Sequence, residues 1–144
     1  MRTFKRGTKM DIEVELSKII INEASSQQVI VLKDCTSDRS FPIVIGISEI
    51  VAIDRRLKGL TLLRPMTHDL LANVIEQMGG KIEKIVINDI IDHTFYAQIH
   101  LDVNGKHIEI DSRPSDAIAV SVASSVPLFV TEKVFKSLKK GRSQ

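Results

Sequence analysis

The sequence predicts an α+β fold: one domain, with a mixed, mostly antiparallel sheet and helices packed against it. Three observations carry this expectation. Several segments alternate apolar and polar residues with the period of a strand, and others repeat apolar positions at helical spacing. The two kinds are also not interleaved as regular strand-helix-strand units, the pattern that would favour a parallel sheet. With 144 residues, 43% of them hydrophobic, the chain suits a single core.

The elements follow in order. Asp11 to Ile21 alternates Ile12, Val14 and Leu16 with acids, then becomes continuously apolar, as in a strand buried on one face and then on both. Gln28 to Leu32 and Phe41 to Ile45 are β-branched runs joined by the polar segment Lys33 to Ser40, a hairpin with a longer loop. From Ser48, Ile50, Val51, Ile53 and Leu57 recur at helical spacing, and Gly59 is a natural stop. Thr67 is placed to cap a second helix whose apolar stripe is Leu70, Leu71, Val74, Ile75 and Met78, ended by Gly79-Gly80. Strands are expected at Lys81 to Ile91, Thr94 to Val103 and Lys106 to Asp111, the last two joined by Asn104-Gly105, a dipeptide suited to a type I′ turn. Pro114 fits the first turn of a helix whose small residues, Ala117 to Ala123, suit close packing. Leu128 to Val130 is a short strand, and Thr131 can cap a final helix.

Charge is distributed unevenly. The formal net charge is +2, yet residues 11–132 hold 11 basic and 18 acidic side chains, a net of −7. This separates a basic N-terminal arm (1–10), a domain over 11–135 and a basic C-terminal tail (136–144). An acidic body repels phosphate, so any nucleic-acid partner must be drawn by the arms or by a local basic cluster. One cysteine, Cys35, excludes an internal disulfide framework. No apolar run approaches the ~20 residues that cross a bilayer, and the first ten residues lack the apolar stretch of a secretory signal. The expectation is a soluble, cytoplasmic protein with no membrane partner. Walker-type loops, dinucleotide fingerprints and nucleophilic elbows are absent. With no tryptophan and one tyrosine, Tyr96, there is little aromatic surface for stacking bases.

Two groups of residues can carry chemistry. A two-residue turn at Asn104-Gly105 sets Asp102 opposite His107, His100 opposite Glu109 and Gln98 opposite Asp111, all on one face, with Ile99, Leu101, Val103, Ile108 and Ile110 turned to the core. Such a face can bind a divalent cation or move protons, or it can be a solvated sheet surface with ordinary cross-strand pairs. The second group is a pair of Arg-Pro junctions, Arg64-Pro65 and Arg113-Pro114, each just before a helix. A helix N-terminus offers free N–H groups to an anion, and an arginine beside it strengthens that offer. Asp111 and Asp116 flank Arg113 and can hold a metal or position water; alternatively Arg113 pairs with one of them and braces the junction. His68, at the second helix start, is placed to stay neutral and act as a base, or simply to lie on the surface.

At these residues the sequence resembles the bifunctional nuclease domain family. The motifs are Arg64-Pro65-Met66-Thr67-His68-Asp69-Leu70-Leu71, Asp92-His93-Thr94-Phe95-Tyr96-Ala97 and Ile110-Asp111-Ser112-Arg113-Pro114-Ser115-Asp116-Ala117-Ile118, and the match spans roughly residues 11 to 135. The resemblance implies an α+β domain, self-association, and nuclease activity on DNA and RNA. The expected roles are then these. Asp111 and Asp116 bind a divalent cation, magnesium or manganese, or orient water. Arg113 and Arg64 neutralise the phosphate, His68 assists proton transfer, and Thr67 and Ser115 contact substrate. The rival expectation is a non-catalytic interaction module that binds a partner protein, a small anion or nucleic acid through the same two junctions.

Overall fold

The computed structural model describes residues 3–6, 9–22, 24–60 and 63–142. Among them, eight strands form one sheet, β1 (Thr3–Arg6), β2 (Lys9–Ile20), β3 (Gln27–Asp34), β4 (Ser40–Gly46), β5 (Gly80–Ile91), β6 (Thr94–Val103), β7 (Lys106–Ser112) and β8 (Leu128–Thr131). Four helices accompany it: α1 (Ile47–Leu57), α2 (Thr67–Gln77), α3 (Pro114–Ser124) and α4 (Glu132–Arg142). The fold is α+β, as the sequence predicts. Residues 3–6 of the N-terminal arm form a strand on β2, and residues 136–142 of the C-terminal tail continue α4.

The strand order is β4-β3-β2-β8-β5-β6-β7, with β1 also pairing β2. Two antiparallel meanders, β2-β3-β4 and β5-β6-β7, are joined by β8, which runs antiparallel to β2 and parallel to β5. As a central strand β8 is covered on both faces, so all four of its residues are buried. On one face of the sheet, Val14, Ile30, Phe41, Ile43, Ile85, Ile99 and Leu128 meet Ile50 and Ile53 of α1, Ile118 and Val120 of α3, and Val134 and Phe135 of α4. Phe41 stacks on Phe95 at 5.5 Å and meets Phe135 edge-on at 5.4 Å. The small residues of α3 let it lie between the sheet and the other helices: Ser115, Ala117, Ile118, Ala119, Val120 and Ser121 are all buried.

The hairpin register is the expected one: Val103 faces Lys106, His100 faces Glu109 and Gln98 faces Asp111. Asn104 and Gly105 both adopt positive φ, 55° and 83°, as a type I′ turn requires. Burial departs from the simple alternation. Ile99 and Leu101 are buried but Ile110 is 41% exposed, because β7 is the sheet edge and the core does not extend beneath it. On the polar face, His100 is only 2% exposed.

Two expectations for α2 need correction. The N-cap is Met66, not Thr67; Asp69 performs the capping by accepting the Met66 N–H at 3.1 Å, which leaves Thr67 in the first turn. The apolar stripe is also only partly core: no residue of α2 is fully buried, Ile75 packs against the core, and Leu70 and Met78 are 54% and 78% exposed.

The β3–β4 loop is held by charge. Asp34, buried, accepts hydrogen bonds from the Thr36 amide, the Thr36 and Ser37 hydroxyls and the Arg39 guanidinium. Arg39 also donates to both carboxylate oxygens of Glu132, tying the loop to α4. Burial alone would raise the Asp34 pKa, but these donors together outweigh it and hold it below the ordinary carboxylate value. A carboxylate with a depressed folded pKa stabilises the fold above its unfolded pKa, and that contribution is lost as pH falls through the folded value. Stability is therefore expected to decline on acidification below about pH 4, with Asp34→Asn less stable at neutral pH and less sensitive to acid, as urea midpoints across pH 2–7 would show.

Candidate functional site

Three helices begin at one place. Glu49 lies in the first turn of α1, His68 in that of α2 and Asp116 in that of α3, so each helix sets one polar side chain near its positive dipole end. Arg113, the N-cap residue of α3, links them. Its Nε donates to Asp116 Oδ2 at 2.9 Å, and its Nη2 reaches Asp116 Oδ1 at 3.2 Å and Glu49 Oε1 at 2.8 Å. Glu49 can fold back against the start of α1 because Gly46 has no side chain; a Cβ there would lie 2.8 Å from Glu49 Oε2.

His68 joins from a segment 48 residues away: its Nε2 lies 3.3 Å from Asp116 Oδ1, and its Nδ1 is buried with no hydrogen-bond partner among the described residues. Burial by itself would raise the Asp116 pKa, but the hydrogen bonds from Arg113 and His68, with their charges, lower it. The Arg113 guanidinium is correspondingly held more firmly protonated, chiefly by its bond to Asp116. With Asp116 ionised, the favoured tautomer of His68 carries its proton on Nε2 and a lone pair on Nδ1.

Beside this cluster opens a cleft of about 530 Å³, lined on its polar side by Arg55, Arg56, Arg64, His68, Asp69 and Asn73. Arg56 is fixed, donating to the Ala123 carbonyl at 2.8 Å. Arg55 and Arg64 are exposed and make no ion pair among the described residues. Three arginines and a histidine against one acid make a local basic patch on an acidic body. Sequence reasoning missed Arg55 and Arg56; the signal available was two adjacent arginines at a helix end, a few residues before a third at Arg64.

The structure thus brings His68, Arg113 and Asp116 into contact, with Arg64 in the adjoining cleft. Asp111 is elsewhere. It pairs in register with Gln98, and alternation along β7 turns it to the face of Glu109, whereas α3 carries Asp116 on the helical side of the sheet. Asp111 has no side-chain hydrogen bond or ion pair among the described residues. Ser115 is buried in the first turn of α3, and Thr67 is exposed at the start of α2. Nor is Asp116 a ready cation ligand: Arg113 stands between Asp116 and Glu49, where an ion bridging the two carboxylates would lie. Because Arg113 is 69% exposed, its bridges are screened by water and contribute little to stability. Arg113→Ala is expected to shift the thermal midpoint by only a few degrees, measurable by calorimetry; a collapse of the fold would instead mark Arg113 as a structural brace.

Comparison with known proteins agrees with the resemblance that the motifs carry. The Bifunctional nuclease domain matches residues 30–141. An uncharacterized protein of Mycobacterium tuberculosis is 36% identical over 122 residues, covering 85% of this chain and 73% of its own length. Bifunctional nuclease 2 of Oryza sativa subsp. japonica is 30% identical over 114 residues, 76% of this chain, and Bifunctional nuclease 2 of Arabidopsis thaliana is 22% identical over 94 residues, 63% of this chain. The matched regions are 35% and 29% of those two plant proteins. The profile match over most of the chain, from the β3 strand through α4, shows that the chain belongs to the bifunctional nuclease domain family.

Proposed function

We propose that the chain hydrolyses phosphodiester bonds in nucleic acid, with the phosphate held in the arginine cleft beside His68. The observation that carries this reading is the His68–Asp116 contact at the edge of a cleft lined by Arg55, Arg56 and Arg64. The arginines supply what a phosphodiester needs, charge neutralisation and donors for its non-bridging oxygens. Asp116 holds the imidazole so that Nδ1 carries the lone pair; Nδ1 is enclosed in this structure, so the ring or the cleft wall must shift to expose it before it can act as a general base that takes a proton from attacking water. Thr67, exposed beside His68, is positioned to contact substrate. A hard cation such as magnesium or manganese keeps most of its waters and arrives on the phosphate, so it needs no complete protein cage here; Asp116 would orient its waters.

Assay of the purified full chain on labelled DNA and RNA, with magnesium, with manganese and with chelator, tests this reading. Cleavage is expected with a divalent cation. Arg64→Ala is expected to raise KM about tenfold with little change in kcat, since it removes a contact made before and during the reaction. Absence of cleavage under every metal condition would overturn the reading.

The second reading, a non-catalytic module that binds an anionic partner in the same cleft, is favoured by one feature: Asp116 and Glu49 are both already engaged by Arg113. It predicts saturable, salt-dependent binding of nucleic acid without turnover.

We also propose that a second copy of the chain covers α2. Leu70, Leu71, Val74 and Met78 form one exposed apolar stripe, larger than scattered surface apolar residues warrant. Light scattering is expected to show an oligomer for the wild type and a smaller species for Leu70→Glu/Met78→Glu. Unchanged mass in the double variant would rule out this interface.

A further inference from the structure

We infer that the face of the sheet away from the helices carries a zinc-class metal site built from His100, His107 and Glu109. One ligand atom from each of these side chains lies within 4.8 Å of the others. His100 Nδ1 and His107 Nε2 are 3.1 Å apart, close to the ~3.3 Å that separates two imidazole nitrogens sharing one tetrahedral zinc at about 2.0–2.1 Å. His100 and Glu109 are directly opposite across the β6–β7 ladder, and His107 lies one pair nearer the turn on the same face. The buried His100 fixes the site, while His107 and Glu109, both exposed, can close on an ion by small side-chain rotations.

The neighbouring strand supplies the support that such imidazoles normally have. The β5–β6 register slips at Glu83, so Glu83 and Lys84 both oppose His100 and turn to this face. Glu83 Oε1 lies 3.4 Å from His107 Nδ1. A small rotation of either exposed side chain would let that carboxylate accept a hydrogen bond from Nδ1–H and leave the Nε2 lone pair directed at His100, the arrangement that orients metal-binding histidines. Lys84 is drawn aside by Asp11 at 3.5 Å, in a mutually neutralising pair. To bind an ion through Nδ1 together with His107 Nε2, His100 must carry its proton on Nε2.

The donor set decides the ion. Two imidazoles and one carboxylate suit zinc, cobalt(II) or nickel(II), and not magnesium, which prefers oxygen and octahedral geometry. Three protein ligands leave a fourth position for water. His100 and Glu109 also line a cleft of about 230 Å³ with Asn88 and Gln98, in which the buried Asn88 Oδ1 has no hydrogen-bond partner among the described residues. This site is separate from the His68–Asp116 cluster and stands whether or not that cluster is catalytic.

The test uses the untagged full chain, titrated with zinc by calorimetry in excess magnesium and with cobalt(II) followed by visible absorption. One ion per chain is expected, with the intense absorption of four-coordinate cobalt. His107→Ala should weaken zinc binding about 100-fold and abolish that absorption, and Glu83→Gln should weaken it about tenfold. Both positions are exposed, and melting curves without metal will verify that the variants remain folded. If the wild type binds no zinc, or if His107→Ala binds zinc and colours cobalt as the wild type does, the two histidines are a hydrogen-bonded pair only and the inference fails.

Discussion

Replacing His68 by alanine is expected to lower the rate of the proposed nucleic-acid cleavage by about 100-fold or more, the usual contribution of a positioned general base. The expectation follows from the environment of the imidazole. Its Nε2 is committed to Asp116, whose own charge is secured by Arg113, and its Nδ1 has no other employment among the described residues. Asp116→Asn preserves shape but removes the charge and replaces one acceptor oxygen by an amide donor; with Arg113 competing for the oxygen that remains, the tautomer is no longer fixed, so the change is expected to reduce kcat nearly as much while leaving KM close to wild type. Neither change removes a large apolar group, so both variants should melt near the wild-type temperature. Turnover measured under saturating substrate, beside a melting curve, decides the matter: His68→Ala cutting at the wild-type rate would exclude the imidazole from the chemistry.

The second large effect concerns stability. Phe41→Ala is expected to cost about 3–5 kcal/mol, the range for deleting a buried aromatic ring. Phe41 is 1% exposed and touches both Phe95, from the β5-β6-β7 meander, and Phe135, from α4. Its removal opens a cavity where three parts of the chain meet, and the rigid β3–β4 hairpin limits how far the walls can collapse. On the same strand Val44 faces solvent, and Val44→Ala should change stability by about 0.5 kcal/mol or less. Urea midpoints of the two variants would show the contrast. A Phe41→Ala cost under about 1 kcal/mol would mean that the aromatic cluster is not a packing centre.

Local chemistry made much of this architecture legible. Asn104-Gly105 dictates a turn type, the turn dictates the register, and the register places His100 opposite Glu109 without further information. The helix entry at Pro114 and the small residues of α3 were readable for the same reason. Nonlocal facts were not. Nothing in Leu128 to Thr131 says that this short strand lies between the two meanders, and nothing in the α2 pattern says that its apolar stripe lacks a cover. The other tight turn, at Asp92 and His93, uses two non-glycine residues at positive φ, 50° and 65°, and so lacks the glycine that would have announced it. In the candidate site, Asp111 and Asp116 are close in sequence, yet the passage from strand to helix separates them, while His68 reaches Asp116 across 48 positions. Arg55 and Arg56 face a cleft that exists only once three helices are docked.

The position of β8 has a consequence for how the protein is made. Residues 128–131 are translated after both meanders, yet they form the seam between β2 and β5. On the ribosome, the two meanders must wait as separate, half-covered units until that strand emerges, and closure then depends on a contact between distant parts of the chain, the slowest kind to form. A nascent chain arrested before Leu128 should therefore be readily digested by protease and recognised by chaperones, and crowded polysomes give one chain's late strand the opportunity to complete a neighbour's sheet.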